Sequence, residues 1–268
     1  MSIAAGGVQK NIKNRSLSNR FFYPVGEDGV PKPPIAFILF FAAQGFLVSG
    51  VYRWFQEKNA FVSGLDYFEP EFQAIWMNLM WSQLAGIALL GLFAIVWVLR
   101  TRDQNLENLS PQRELGRYYL ILSALFIATI LKLSALSFFL ESDAAWHQVT
   151  IRDTDFTPTH IGLFYFIMPL DAVFMIFGFL WIHTRLPDFN KRISIPLLMI
   201  ASAPLLIMPN LGFNEWGHTF FYAEELFAAP VHYGFVVLGW GFLAISGFLV
   251  QIVSGLHRLT RTTQQLAK

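Results

Sequence analysis

EFQAIWMNLMWSQLAGIALLGLFAIVWVL, residues Glu71–Leu99, decides the fold. After Glu71 no charged side chain appears before Arg100. The run exceeds the ~20 residues that an α-helix needs to cross a hydrocarbon core. In lipid, only a helix or a closed barrel satisfies every backbone N–H and C=O. Five more apolar runs flank it, at about Ile35–Phe55, Leu115–Leu140, His160–Ile182, Ile193–Met208 and Val231–Leu256. The run at 193–208 is marginal in length and is interrupted by Pro196 and Pro204. The pattern predicts an all-α, polytopic membrane protein of about six transmembrane helices, with an outer-side re-entrant or amphipathic segment. The expected division is a cytoplasmic polar tail at 1–33, a transmembrane helical domain at 34–258 and a cytoplasmic tail at 259–268.

Composition agrees. Hydrophobic residues make up 54% of the chain and charged residues only 14%, against roughly 25% in soluble domains. The mean hydropathy is +0.47, and 28 Phe and 8 Trp suit lipid-facing and interfacial surfaces. A soluble enzyme is excluded. The net charge of +1 offers nothing to nucleic acid. The absence of Cys excludes thiolate metal sites and disulfides. The tail MSIAAGGVQKNIKNRSLSNR has basic residues but no apolar core or cleavage site, so it reads as retained, not as a signal peptide.

Basic residues set the orientation. With six spans, the N-terminal tail, the loops at 100–117 and 183–192 and the C-terminus share one side, which holds 15 of the 19 Lys and Arg. The other side holds 11 of the 18 acidic residues. Both ends are thus expected in the cytoplasm. Without a crossing at 193–208 the charge asymmetry is lost.

Two polar stretches echo one another. In DAAWHQVTIRDTDFTPTH (143–160), Asp143 and His147 are four apart and His160 follows two residues after Pro158. Asn214 and His218 are again four apart, and His232 again follows two after a proline, Pro230. On a helix, four-residue spacing puts two side chains on one face. Two imidazoles and a carboxylate make a nitrogen–oxygen site that leaves positions open for dioxygen or substrate. Such a set suits ferrous iron as well as copper. The plainer alternative is an acidic outer loop with interfacial His and Trp. The second triplet is weaker by itself, because Asn binds only through a neutral carbonyl oxygen; Glu225 stands near it as a proton carrier or an acceptor that orients an imidazole. His160 is expected in the first turn of a helix opening near Pro158, facing back toward Asp143 and His147. Lys132 and Asp171 are charges inside apolar runs and therefore functional candidates by default. A salt bridge between them is the expectation. His183 and His257 read as headgroup-level residues.

Five segments carry a resemblance: SGLDYFEPEF (63–72), RTRDQNLENLSPQREL (100–115), DAAWHQVTIRDTDFTPTHI (143–161), TRLPDF (184–189) and MPNLGFNEWGHTFFYAEELFAAPVHYGFVVLGW (208–240). Together the chain resembles the C subunit of the copper-containing membrane monooxygenases, which act on methane, ammonia or short alkanes. The resemblance implies copper as cofactor, with Asp143, His147 and His160 as one ligand set and Asn214, His218 and His232 as the other. Catalysis is expected at Asp143, His147 and His160. It also implies A and B partner subunits in a trimer of heterotrimers, a quinol or other electron donor, and a bacterial inner or intracytoplasmic membrane with the metal sites toward the periplasm. Two rival readings are a proton or metal transporter using Asp171, Lys132, Glu225 and the histidines, and a non-catalytic assembly subunit whose metals only lock loops.

Overall fold

Four helices in this chain open where the sequence supplies a donor-free first residue. Proline at the first helical position loses nothing, because that N–H has no intrahelical partner. Pro70, Pro111, Pro158 and Pro187 each begin a helix. The computed structural model describes residues 17–27, 29–147, 156–205 and 224–266, with side chains outside that description at 17–19, 136, 140–147, 224–236, 238 and 263–266.

In chain order the helices are α1 (Leu17–Phe22) and α2 (Ile35–Ser63), then α3 (Pro70–Arg100), α4 (Pro111–His147), α5 (Pro158–Arg185), α6 (Pro187–Asn190), α7 (Ile195–Leu205) and α8 (Glu224–Leu266). Among the described residues there is no strand, only an isolated bridge between Val25 and Pro31. α2, α3, α4, α5 and α8 each contain a stretch long and apolar enough to cross a membrane. Their outer surfaces fit lipid and not water. Leu89, Phe93, Phe242 and Leu243 are each about two-thirds or more exposed, and in water each would forgo roughly 1.5–3 kcal/mol of burial. This is an integral membrane protein. The apolar run at 193–208 is helical as α7 from Ile195 to Leu205. Its eleven residues rise about 16 Å, roughly half the thickness of a hydrocarbon core.

By contact the chain forms two units, each described by itself. The first comprises Met1–Leu47, Asn105–Lys132 and Val250–Lys268. Within it, Arg258 Nη2 meets Glu114 Oε1 at 2.7 Å, and Glu114 is buried. Phe21 and Phe22 stack edge-on with each other, and Phe21 also meets Phe37 and Phe40, fastening α1 to the start of α2. The second unit, Val48–Gln104 and Leu133–Leu249, holds the candidate site.

At the far end of α5 in that second unit, two residues counted from sequence as loop charge and headgroup-level His have structural work. Arg185 is buried, with its guanidinium 5.5 Å from the ring centres of both Trp97 and Trp181. It donates to the Thr101 carbonyl at 3.2 Å. The Ser194 N–H donates to His183 Nε2 at 3.2 Å, and His183 Nδ1 lies 2.8 Å from the Phe179 carbonyl. The pair of contacts makes Nδ1 the donor. His183 thereby pins the turn from α5 into α7.

Candidate metal centre

The residues from Thr157 to Ile167 are built by three local devices. Thr157 is the N-cap: its Oγ1 accepts the His160 N–H at 3.0 Å. Pro158 takes the first helical position, and His160 stands in the first turn. A π-turn at Leu163–Ile167 then interrupts the α register. Pro169 lies two residues beyond it, and a proline has no N–H for the carbonyl four residues back and crowds it. A wider turn just ahead relieves that crowding. A second π-turn, Gln73–Met77, opens α3. Single π-turns inside α-helices are frequent at functional sites.

Packing buries this helix start. Thr157, Pro158, Thr159, His160, Ile161 and Gly162 are all buried. His160 is 1% exposed, and its ring lies 4.8 Å from that of Phe164. Ile161 joins Ala60, Phe72, Trp76, Met77 and Met80 in one cluster, while Leu163 joins Ala135 and Phe139 in another. Tyr52 stacks on Phe166 at 5.1 Å and meets Phe139 edge-on at 5.6 Å. Side chains from α2, α3 and α4 thus surround the first turns of α5.

Close packing here depends on two glycines. A Cβ at Gly64 would lie 2.5 Å from the Ala60 carbonyl oxygen, 2.7 Å from Pro158 Cγ and 3.0 Å from Trp76 Nε1. A Cβ at Gly162 would lie 2.9 Å from Gln56 Nε2 and 3.1 Å from Tyr52 Cε1. Gln56 uses the space at Gly162 to donate from Nε2 to the Pro158 carbonyl at 2.7 Å. Gln83 donates from Nε2 to the Ile161 carbonyl at 2.8 Å and accepts the Tyr52 hydroxyl at 3.2 Å. Gln56 Oε1 and Trp76 Nε1 are buried without a hydrogen-bond partner among the described residues. Each such atom costs about 1–3 kcal/mol.

Of the six residues singled out from sequence, the structure describes His160 completely. α4 ends at His147, so Asp143 and His147 occupy its last two turns, about 6 Å apart along the axis. His232 lies on the backbone of α8. The side chains of Asp143, His147 and His232, and Asn214 and His218 altogether, lie outside the described residues. Among the described residues, no three His, Asp or Glu side chains come together as a metal site. α8 begins at Glu224, earlier than the apolar run at 231, so Glu225 belongs to the same helix as His232.

A family model described as the C subunit of ammonia monooxygenase/methane monooxygenase matches residues 35–263. The chain belongs to that family. No curated protein matches it. As a C subunit it works in a complex with other monooxygenase subunits. Its matched region includes all six candidate ligands and all five candidate spans.

Sequence reading passed over Gln56, Gln83 and Thr157. Thr157 had a signal, since Thr followed by Pro is N-cap then first-turn chemistry. Gln83 had one too, as a polar residue inside the uncharged run after Glu71. Gln56 had none, because Arg53, Glu57 and Lys58 surround it and make it look like part of a solvated helix end.

Proposed function

We propose that this chain binds copper through Asp143, His147 and His160, and that the complex it joins there oxidises a small substrate, methane, a short alkane or ammonia, with dioxygen. One observation carries the reading: a histidine fully buried in the capped first turn of α5, in a family of monooxygenase subunits, thirteen residues after a helix that ends on Asp143 and His147. Two imidazoles and a carboxylate are a donor set that Cu(II) binds well. The end of α4 also suits a cation, because the last carbonyls of a helix carry partial negative charge. Copper bound there supplies the redox chemistry with dioxygen. The chain's own part is positional. Thr157 fixes the His160 main chain. Phe164 flanks the imidazole, and the apolar clusters around Ile161 and Leu163 keep water from the helix start. Asn214, His218 and His232 form a second copper set on this reading. The A and B subunits, a trimer of heterotrimers and a quinol or similar donor complete the complex.

The test is copper content and turnover of the assembled complex in His147→Ala, His160→Ala and Asp143→Ala. Each is expected to lose about one copper equivalent and all turnover while the complex still assembles, since a site with three protein ligands has none to spare. A fully active His160→Ala complex with full copper ends the proposal. Loss of assembly together with activity favours a structural role for the metal.

For topology the proposal is six crossings with cytoplasmic ends, which requires the α7 segment to complete a crossing. Cysteines placed by Asn108→Cys, Asp153→Cys, Asp188→Cys and Ala223→Cys in this Cys-free chain test it in spheroplasts. Impermeant thiol reagents are expected to label positions 153 and 223 only. Labelling at 153 without 223 leaves α7 on one side of the membrane.

A further inference from the structure

Three polar side chains reach the main chain in the first turn of α5. Gln56, from α2, takes the Pro158 carbonyl. Gln83, from α3, takes the Ile161 carbonyl. Thr157 takes the His160 N–H. The main chain is therefore held two residues before His160, at His160 itself and one residue after it. We propose that Gln56 and Gln83 are positioning residues for His160, setting where its imidazole is presented; the inference rests on the reading of His160 as a copper ligand.

Three features support a positioning role over a purely structural one. First, the amide of Gln83 has a defined orientation. The Tyr52 hydroxyl donates to its Oε1, so its Nε2 faces Ile161. The carbonyl it holds lies just ahead of the π-turn at Leu163–Ile167, where the change of register disturbs the i→i+4 ladder and an outside donor is useful. Second, Gln56 is 1% exposed, yet its Oε1 has no partner among the described residues. Were packing its only task, an apolar side chain of similar length would fit with no polar atom stranded. Third, Gly162 leaves the space through which Gln56 reaches Pro158, and any larger residue would push that amide away. Groups that orient a metal ligand without touching the metal commonly change metal affinity about ten- to a hundredfold when removed.

The experiment uses the assembled complex carrying Gln56→Met or Gln83→Met, which keep side-chain length and remove the donor. Both are expected to weaken copper binding about tenfold in competition with a chelator and to shift the hyperfine pattern of the Cu(II) electron paramagnetic resonance spectrum. The melting temperature of Gln56→Met is expected to be unchanged or higher. A structural role alone would lower the melting temperature and leave the spectrum as it was. If Gln83→Met fails to assemble, Tyr52→Phe decides instead; it keeps the ring packing, removes only the hydroxyl that orients Gln83, and is expected to shift the same spectrum. His160→Ala is the control. Wild-type affinity and spectrum in the Gln and Tyr variants, with copper lost in His160→Ala, overturns the positioning proposal alone. Copper retained in His160→Ala overturns the ligand reading and this inference with it.

Discussion

Pro158-Thr159-His160 and Pro230-Val231-His232 look alike in sequence, and the structure sets them in opposite circumstances. Pro158 opens α5 with Thr157 as its cap, so the ring occupies a position where no N–H is needed. Pro230 lies inside α8, six residues beyond Glu224. There it has no N–H for the helical bond to the Leu226 carbonyl. One proline sharpens a helix start; the other weakens a helix interior about half a turn before its histidine. A shared Pro-x-His pattern therefore says nothing about rigidity. What surrounds the proline decides that, and at Pro158 the surroundings include Gly64 and Trp76 as well as the cap.

The strongest way to break the anchored side of this comparison is at Gly64. Gly64→Val would put a branched side chain against the Ala60 carbonyl, the Pro158 ring and Trp76. Two of those three neighbours are backbone or a rigid ring and cannot swing aside. Overpacking costs typically about 1–3 kcal/mol and occasionally more, and rigid neighbours put this site at the upper end. A large drop in melting temperature of the membrane-embedded complex is expected. A melting curve unchanged from wild type would mean that α5 does not depend on this contact.

A smaller effect separates the two prolines directly. Pro230→Ala is expected to stabilise the start of α8 by about 2–3 kcal/mol, the penalty that proline carries in a helix interior. Amide exchange at 226–232 should slow accordingly. Pro158→Ala is expected to change exchange in α5 by far less, since alanine and proline are both acceptable in a first turn. Equal responses at the two sites would erase the distinction drawn here.

Much of this arrangement is legible in the sequence, and the parts that are not share a physical cause. Hydropathy located α2, α3, α4, α5 and α8 because lipid demands long apolar runs. It misjudged where they end, because hydropathy reports the solvent around a helix and not its hydrogen bonds. α2, for example, continues eight residues past Phe55 to Ser63, helped by the Arg53–Glu57 pair at 3.3 Å and four-residue spacing. The helix start at Pro158 is read from the sequence, and Pro70 and Pro111 mark starts of the same kind that hydropathy alone passes over. The π-turns at Gln73–Met77 and Leu163–Ile167 leave no trace in hydropathy or periodicity. Nor do the contacts from Gln56 and Gln83, which join residues 102 and 78 positions apart. His160 was visible as a ligand type, but what holds it is a property of tertiary packing.

The smallest expected effect tests the cap itself. Thr157 offers one acceptor, Oγ1, to the His160 N–H at 3.0 Å, and the same oxygen lies 3.1 Å from Thr159 Oγ1. Thr157→Val keeps the branched shape and removes the oxygen, leaving a buried N–H without its partner. The cost of losing such a cap is about 1 kcal/mol. Thr157→Ser retains the oxygen and is expected to sit within a few tenths of a kcal/mol of wild type. Three outcomes are distinguishable by melting the assembled complex and measuring its copper. If Val lowers the melting temperature by a few degrees and Ser restores it, the cap stabilises the helix start as described. If Val also lowers copper content while Gly64 and Gln56 are intact, the cap acts on His160 as well as on α5. If Val and wild type melt together, then Gln56, Gln83 and the Gly64 contact suffice to hold the first turn, and Pro158 owes its rigidity to packing instead of to its position at the helix start.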